Sequence, residues 1–251
     1  MSARIGPDSS TDRAWEAWGR QDPYFGVITN PKFRREQLTE GAKAEFFETG
    51  RAHVEHVLHT IRTFVDPRFD ARSILDFGCG VGRALVHFAE RATTVCGIDV
   101  SLSMLAEAQR NCAERQIRNV RLVQSDDALA GLDATFDLIH SAIVFQHIPP
   151  ERGRELLRQL LDRLSPGGVG ALHFLYSKAS YLATHGVAPK QDVQPVGPTP
   201  TTPGGDPEIQ MNPYEMNQIL FLLQRRGVDR FHAEFTDHGG ELGMFVFFRV
   251  K

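Results

Sequence analysis

The run Ile74-Leu75-Asp76-Phe77 leads straight into Gly78-Cys79-Gly80-Val81-Gly82, an apolar strand-like stretch followed by glycine at alternate positions. Such glycines let the backbone turn tightly and let a ligand approach the main chain. A helix starting just beyond offers its free N–H groups to hydrogen-bond acceptors. Asp99 stands 21 residues after Gly78, at the end of a second apolar run. A carboxylate there can accept hydrogen bonds from both hydroxyls of a ribose. This is the chemistry of a nucleoside cradle, and a glycine turn without a ligand is the plainer alternative. A dinucleotide dehydrogenase would prefer GxGxxG, which calls for glycine where this chain has Arg83, so a nicotinamide cofactor is the weaker reading.

Elements must hold these residues in place, and the hydrophobic pattern supplies them. Short apolar runs at 73–77, 94–98, 119–124, 136–142 and 169–175 predict strands. Helical patterns at 82–90, 102–115 and 150–163 alternate with them, the signature of parallel strands joined by crossover helices. Before them, Phe47, Val54, Val57, Leu58, Ile61 and Val65 recur at three- and four-residue steps and predict an amphipathic helix over 42–66. Asn212-Pro213-Tyr214-Glu215 reads as a helix start, with the helix running to about Arg226. Runs at 228–236 and 242–250 around Asp237-His238-Gly239-Gly240 predict a closing antiparallel hairpin. Half of the 14 prolines fall between Pro189 and Pro213, which makes 178–211 a variable loop or lid. Residues 1–41, polar and aromatic by turns, read as an N-terminal arm outside the core. The domain proper is 42–251, with its core at 73–177 and the terminal helix and hairpin at 212–251.

With the acid Asp76, the glycines Gly78, Gly80 and Gly82, and Asp99 in these places, the chain resembles the class I S-adenosylmethionine-dependent methyltransferases, small-molecule type. The resemblance covers about Ser73 to Tyr176. It implies an α/β fold, a Rossmann-like seven-stranded, mostly parallel sheet with helices on both faces and a terminal antiparallel hairpin, here with an N-terminal helical extension. It implies S-adenosylmethionine as cofactor, held by Asp76, Gly78, Gly80, Gly82 and Asp99. Asp126, with Asp127 as the alternate, would take the adenine amino group. The fourth-strand motif Phe136-Asp137-Leu138-Ile139-His140-Ser141 places Ser141 by the donor and the following segment, Ala142 to Ile148, beneath the methyl group. Pro166-Gly167-Gly168 matches the turn before the fifth strand.

Methyl transfer from a sulfonium needs alignment and exclusion of water more than covalent help. A hydroxyl acceptor also benefits from a base. His147 is the candidate, since several small-molecule O-methyltransferases of the family carry a histidine there; a structural histidine in the 144–148 turn is the competing reading. His140, within a strand, reads as a packed or paired core residue. Relatives with Glu-His at this point use a divalent metal, but Gln146-His147 lacks the carboxylate. The row His53, His56, His59 fits a helix face, so no metal is expected. Ser141-Ala142-Ile143-Val144 is not the (Asp/Asn)-Pro-Pro-(Tyr/Phe) run of amino-methylating DNA enzymes, and no cysteine stands where RNA cytosine-C5 enzymes need one.

With 28 Lys and Arg against 31 Asp and Glu, net charge −3, the chain has no electrostatic footprint for nucleic acid or an anionic membrane. A content of 41% hydrophobic and 24% charged residues in 251 is ordinary for a globular domain. No apolar run approaches the ~20 residues that span a bilayer. Three cysteines without a CxxC fit a reducing compartment, and a cytoplasmic location is expected. The reading is therefore methyl transfer from S-adenosylmethionine to a small molecule or glycan, at a hydroxyl in preference to nitrogen. A non-catalytic S-adenosylmethionine-binding protein and a nicotinamide oxidoreductase are the alternatives. Acceptor identity and oligomeric state have no signature in the sequence.

Overall fold

The computed structural model describes residues 10–180 and 205–251. Seven strands form one sheet: β1 (Ser73–Phe77), β2 (Thr94–Asp99), β3 (Val120–Gln124), β4 (Phe136–Ser141), β5 (Leu164–Lys178), β6 (Val228–Asp237) and β7 (Glu241–Val250). Their order is β3-β2-β1-β4-β5-β7-β6. The pairs β2–β3, β1–β2, β1–β4 and β4–β5 are parallel, and β7 runs antiparallel to both β5 and β6. The strand order reverses between β1 and β4. In an open α/β sheet the crevice for a ligand lies at that switch point, beyond the carboxyl ends of the strands. This is the fold that the glycine turn and the alternating pattern implied.

Local chemistry accounts for the helices that flank the crevice. Helix α3 (Glu40–Thr60) opens on Thr39, whose hydroxyl accepts from the Ala42 N–H at 3.2 Å, and runs through a π turn, Ile61–Val65, into Asp66-Pro67. Helix α4 (Leu85–Ala89) is shorter than the predicted 82–90 because the glycine turn occupies its first residues. Helix α5 (Leu102–Glu114) opens on Ser101, which accepts from the Met104 N–H at 3.1 Å. Such caps satisfy N–H groups that the first helical turn leaves without a partner.

Alternate strand residues point to opposite faces, and each face builds its own core. Ile74, Val95, Leu138, Ala171, Phe245 and Phe247 pack with α3, α4 and α5. Leu75, Ile98, Ile139, Phe174, Val246 and Phe248 pack under α6 (Pro150–Asp162) and α7 (Met216–Arg225).

Three expectations are corrected. Residues of the predicted arm form α1 (Ser10–Gln21) and α2 (Pro23–Val27), and Trp18, Tyr24, Phe25 and Phe33 are buried in the first cluster. Burying one large apolar side chain is worth about 1.5–3 kcal/mol, so this segment belongs to the core. Second, α7 starts at Met216 and not at Asn212, because Asn212 donates instead to the Gln146 carbonyl, at 2.6 Å from its backbone N and 3.2 Å from Nδ2. Third, β5 begins at Leu164 and takes in Ser165-Pro166-Gly167-Gly168, with an irregularity in register where it joins β4. Residues 181–204 of the expected loop or lid lie outside the described residues.

Candidate active site

At the end of β1 the glycine turn is pinned to β2, because the N–H groups of Gly78 and Cys79 both donate to the Ile98 carbonyl, at 2.8 and 3.0 Å. Gly78, Gly80 and Gly82 take φ of 73°, 53° and 87°, the left-handed region that side chains resist. From the end of β2, Asp99 reaches over this turn. Its Oδ2 accepts from the Gly80 N–H and its Oδ1 from the Ser101 N–H, both at 2.9 Å, so each oxygen keeps a lone-pair position. Burial raises its pKa to about 6, against the pull of those two hydrogen bonds.

Glu16 of α1 sits beside it on the start of α5. It accepts from Ser101 Oγ at 2.8 Å and from the N–H and Oγ of Ser103 at 3.1 and 2.7 Å. Despite the cost of burial, the bonds from Ser103, Ser101 and Arg20 hold its pKa down at about 2.

Asp76 faces away from this cradle. Its carboxylate accepts from His140 Nδ1 at 2.7 Å, and His140 Nε2 lies 2.8 Å from His53 Nε2 on α3. The β1–β4 register sets Asp76 directly opposite His140, and both are buried. Burial, then the neighbouring His140, keeps the pKa of His53 well below the usual histidine value. His56 bonds to Glu234 and His59 lies by Thr63, so the three α3 histidines diverge.

At the end of β4 Ser141 is fully buried, and its Oγ has no hydrogen-bond partner. Two residues on, Ile143 has φ 59°, a strained conformation for a β-branched side chain. The short turn Phe145–His147 follows. His147 Nδ1 donates to the Gln210 carbonyl at 2.9 Å, which leaves the lone pair on Nε2. The edge of Trp15 packs on the ring, with centroids 4.9 Å apart, and Thr11 Oγ1 donates to the His147 carbonyl at 2.6 Å. Burial pushes its pKa down to about 4, although the carbonyls of Gln210 and Ile143 favour the proton.

Beyond β3, Asp126 Oδ1 accepts from the N–H groups of Ala128 and Ala130, both at 3.0 Å, shaping its own turn. Asp127 accepts from Arg152 Nε at 2.6 Å, and the same guanidinium grips Asp12 of α1 at 2.7 and 2.9 Å.

The structure thus sets Gly78, Gly80, Gly82 and Asp99 together at the ends of β1 and β2, with Ser141 and the His147 turn at the end of the neighbouring β4, while Asp76 bonds to His140 and Asp127 to Arg152. The sequence reading missed α1 itself, with Trp15, Glu16 and the Asp12–Arg152–Asp127 tie, and also the stretch 205–214, from which Gln210 and Asn212 grip the His147 turn. Trp15 and Trp18, at helical spacing and followed by Arg20 four residues after Glu16, were the available signal.

The Asp99 carboxylate is half-buried beside the glycine turn and the Ser141 hydroxyl is without a partner. Residues 74–168 match the profile of a methyltransferase domain. An uncharacterised methyltransferase of Synechocystis is 29% identical over 170 residues, which cover 67% of this chain and 70% of that protein. A malonyl-[acyl-carrier protein] O-methyltransferase of Salmonella typhimurium is 31% identical over 131 residues, 52% of this chain and 49% of that one. In fold the chain is similar to magnesium protoporphyrin IX methyltransferase of Synechocystis, solved with bound SAH, at TM-score 0.65 and 18% identity over 96% of this chain and 98% of that. The glycine turn, the acid ending β2 and these likenesses agree on one conclusion: residues 74–168 are a methyltransferase domain, set in a chain that folds like the S-adenosylmethionine-dependent methyltransferases.

Proposed function

We propose that the chain methylates a hydroxyl of a small molecule or glycan, with His147 as the base. The carrying observation is the state of that imidazole: Nδ1–H is committed to the Gln210 carbonyl, burial keeps the ring neutral, and the Nε2 lone pair is left to accept a proton. Asp99 would hold the ribose hydroxyls, the turn from Gly78 to Gly82 would lie along the nucleoside, and Ser141 would donate near the amino-acid end. Of the two acids beyond β3, Asp126 suits the adenine amino group, since its Oδ2 has no partner among the described residues while Asp127 is paired to Arg152.

The bound donor supplies an activated methyl group, so the chain need only align the acceptor and exclude water. As the new oxygen–carbon bond forms and the sulfur–carbon bond breaks, the hydroxyl proton passes to His147 Nε2. The relative named for O-methylation supports oxygen as the target. The net charge of −3 supports a small acceptor over nucleic acid.

The test is turnover of methyl-deuterated S-adenosylmethionine with a panel of phenols, sugars and amines, read by mass spectrometry of the products. Methyl gain on hydroxyl compounds alone is the expected result. Transfer to amines alone would overturn the reading.

A further inference from the structure

Among the described residues, six buried side-chain atoms lack a hydrogen-bond partner: His87 Nδ1, Ser141 Oγ, Gln146 Oε1, His173 Nδ1, Lys178 Nζ and Glu241 Oε2. An orphaned buried polar atom is costly, and five of these six gather at or beyond the upper reaches of β4, β5 and β7, the edge where ligands of such sheets bind. Ser141 belongs to the donor crevice. Lys178 and Glu241 do not, and nothing in the methyl transfer described above uses them.

Lys178 ends β5 and Glu241 begins β7, directly opposite in register. Lys178 is only 4% exposed. Its Nζ lies 3.1 Å from Glu241 Oε1, but the geometry does not make a hydrogen bond, and Oε2 is left without a partner. A buried ion pair is favourable only when its remaining donors and acceptors are also satisfied. Here one spare donor and one spare acceptor stand side by side.

The charge of the pair selects its ligand. A carboxylate would accept from Lys178 but would set its charge against Glu241, and an ammonium would meet the reverse conflict. A hydroxyl accepts from Nζ, donates to Oε2 and adds no charge. We infer that Lys178 and Glu241 form an anchoring site for a second hydroxyl of the acceptor, apart from the one that is methylated; this rests on the proposed function above.

Register gives a measure of reach. Leu172 pairs with Ser141, and Lys178 lies six residues farther along β5, up to about 20 Å at ~3.3 Å per residue. A second hydroxyl held there would lie that far along the sheet from the level of Ser141. His173 lies between the two levels, bonded through Nε2 to Thr236 Oγ1 at 2.8 Å with Nδ1 unused, a further polar contact along the way.

The test uses the full chain saturated with S-adenosylhomocysteine and saturation-transfer NMR with three matched probes: trans-cyclohexane-1,2-diol, cyclohexanecarboxylate and cyclohexylamine. The diol should give the strongest signal, and the signal should fall at least about fivefold in Lys178→Met and in Glu241→Gln, as expected when a hydrogen bond to a charged group is lost. S-adenosylhomocysteine affinity should stay within about twofold of wild type in both variants. Should Lys178→Met not fold, Glu241→Gln, nearly equal in shape, decides alone. A diol signal indifferent to both substitutions would overturn the inference, as would a Lys178-dependent preference for the carboxylate or a Glu241-dependent preference for the amine. Failure of the underlying reading looks different: the wild-type chain would then methylate amines and not hydroxyls, whatever these variants bind.

Discussion

Asp99 is where affinity for the donor should concentrate. A carboxylate accepting from two hydroxyls is worth about 1.5–3 kcal/mol, so Asp99→Ala should weaken S-adenosylhomocysteine binding about 10- to 100-fold by calorimetry; a loss under about threefold would remove the role. With its pKa raised to about 6, Asp99 is charged above that pH and protonated below it. Affinity should therefore decline as pH falls through about 6. His147 titrates lower, at about 4, so kcat at saturating donor should hold through pH 6 and fall only on approach to 4. An acid limb near 6.5, the ordinary histidine value from which the sequence argues, would contradict the buried imidazole. His147→Ala should cut kcat by about 10²- to 10⁴-fold with donor affinity nearly unchanged. The glycines and Asp99 were legible in the sequence because turn chemistry is local. The partners of Asp76 and His147 were not, since they come from 64 and 63 residues away, and no local pattern encodes such pairings.

At the scale of elements, α1 ties together the segments that follow β2, β3 and β4. Thr11 ties it to the His147 turn, Glu16 to the start of α5, and Asp12 through Arg152 to the loop after β3. Trp18 adds a bond to the Pro207 carbonyl at 3.1 Å. Removing a bidentate charged partner costs more than removing a neutral one. Arg152→Ala should thus raise the dissociation rate of S-adenosylhomocysteine about 5- to 100-fold in stopped-flow measurements, while Arg158→Ala, an exposed partner of Glu155 on the same helix, should leave it unchanged. Equal rates in both would show that α1 does not retain the donor. The strands and crossover helices were legible to within a few residues because their periodicity is strong. Helix α1, with its polar composition, was not: its apolar stripe is little more than Trp15 and Trp18, and it is held largely by ties to distant side chains. The start of α7 was misplaced for a related reason, as a residue with capping chemistry was used for a tertiary contact.

For the molecule as a whole, the alternating pattern and the family resemblance implied a mostly parallel seven-stranded sheet, but not the polar content of its interior. His147 and His173 are buried and His53 is half-buried, all with lowered pKa values, the first two at about 4. The unfolded chain takes up these protons near pH 6.5 and the folded chain only at lower pH, near 4 for His147 and His173. Their contribution to stability is therefore complete above 6.5 and is lost as pH falls toward 4, by as much as ~3 kcal/mol for each of those two. Asp99 works in the opposite sense over a similar window, since its folded pKa is raised. Three groups against one give a net loss, so the melting temperature should drop between pH 7 and 5, and a flat profile would contradict these burials. Helix α1 carries one more consequence, for the rate of the cycle. Because it is tied both to the His147 turn and to the start of α5, a product release that required α1 to detach would swing a large piece of chain through solvent. Turnover limited by that swing would slow in proportion to the viscosity of the medium, as sucrose or glycerol would reveal, whereas turnover limited by bond making would ignore it.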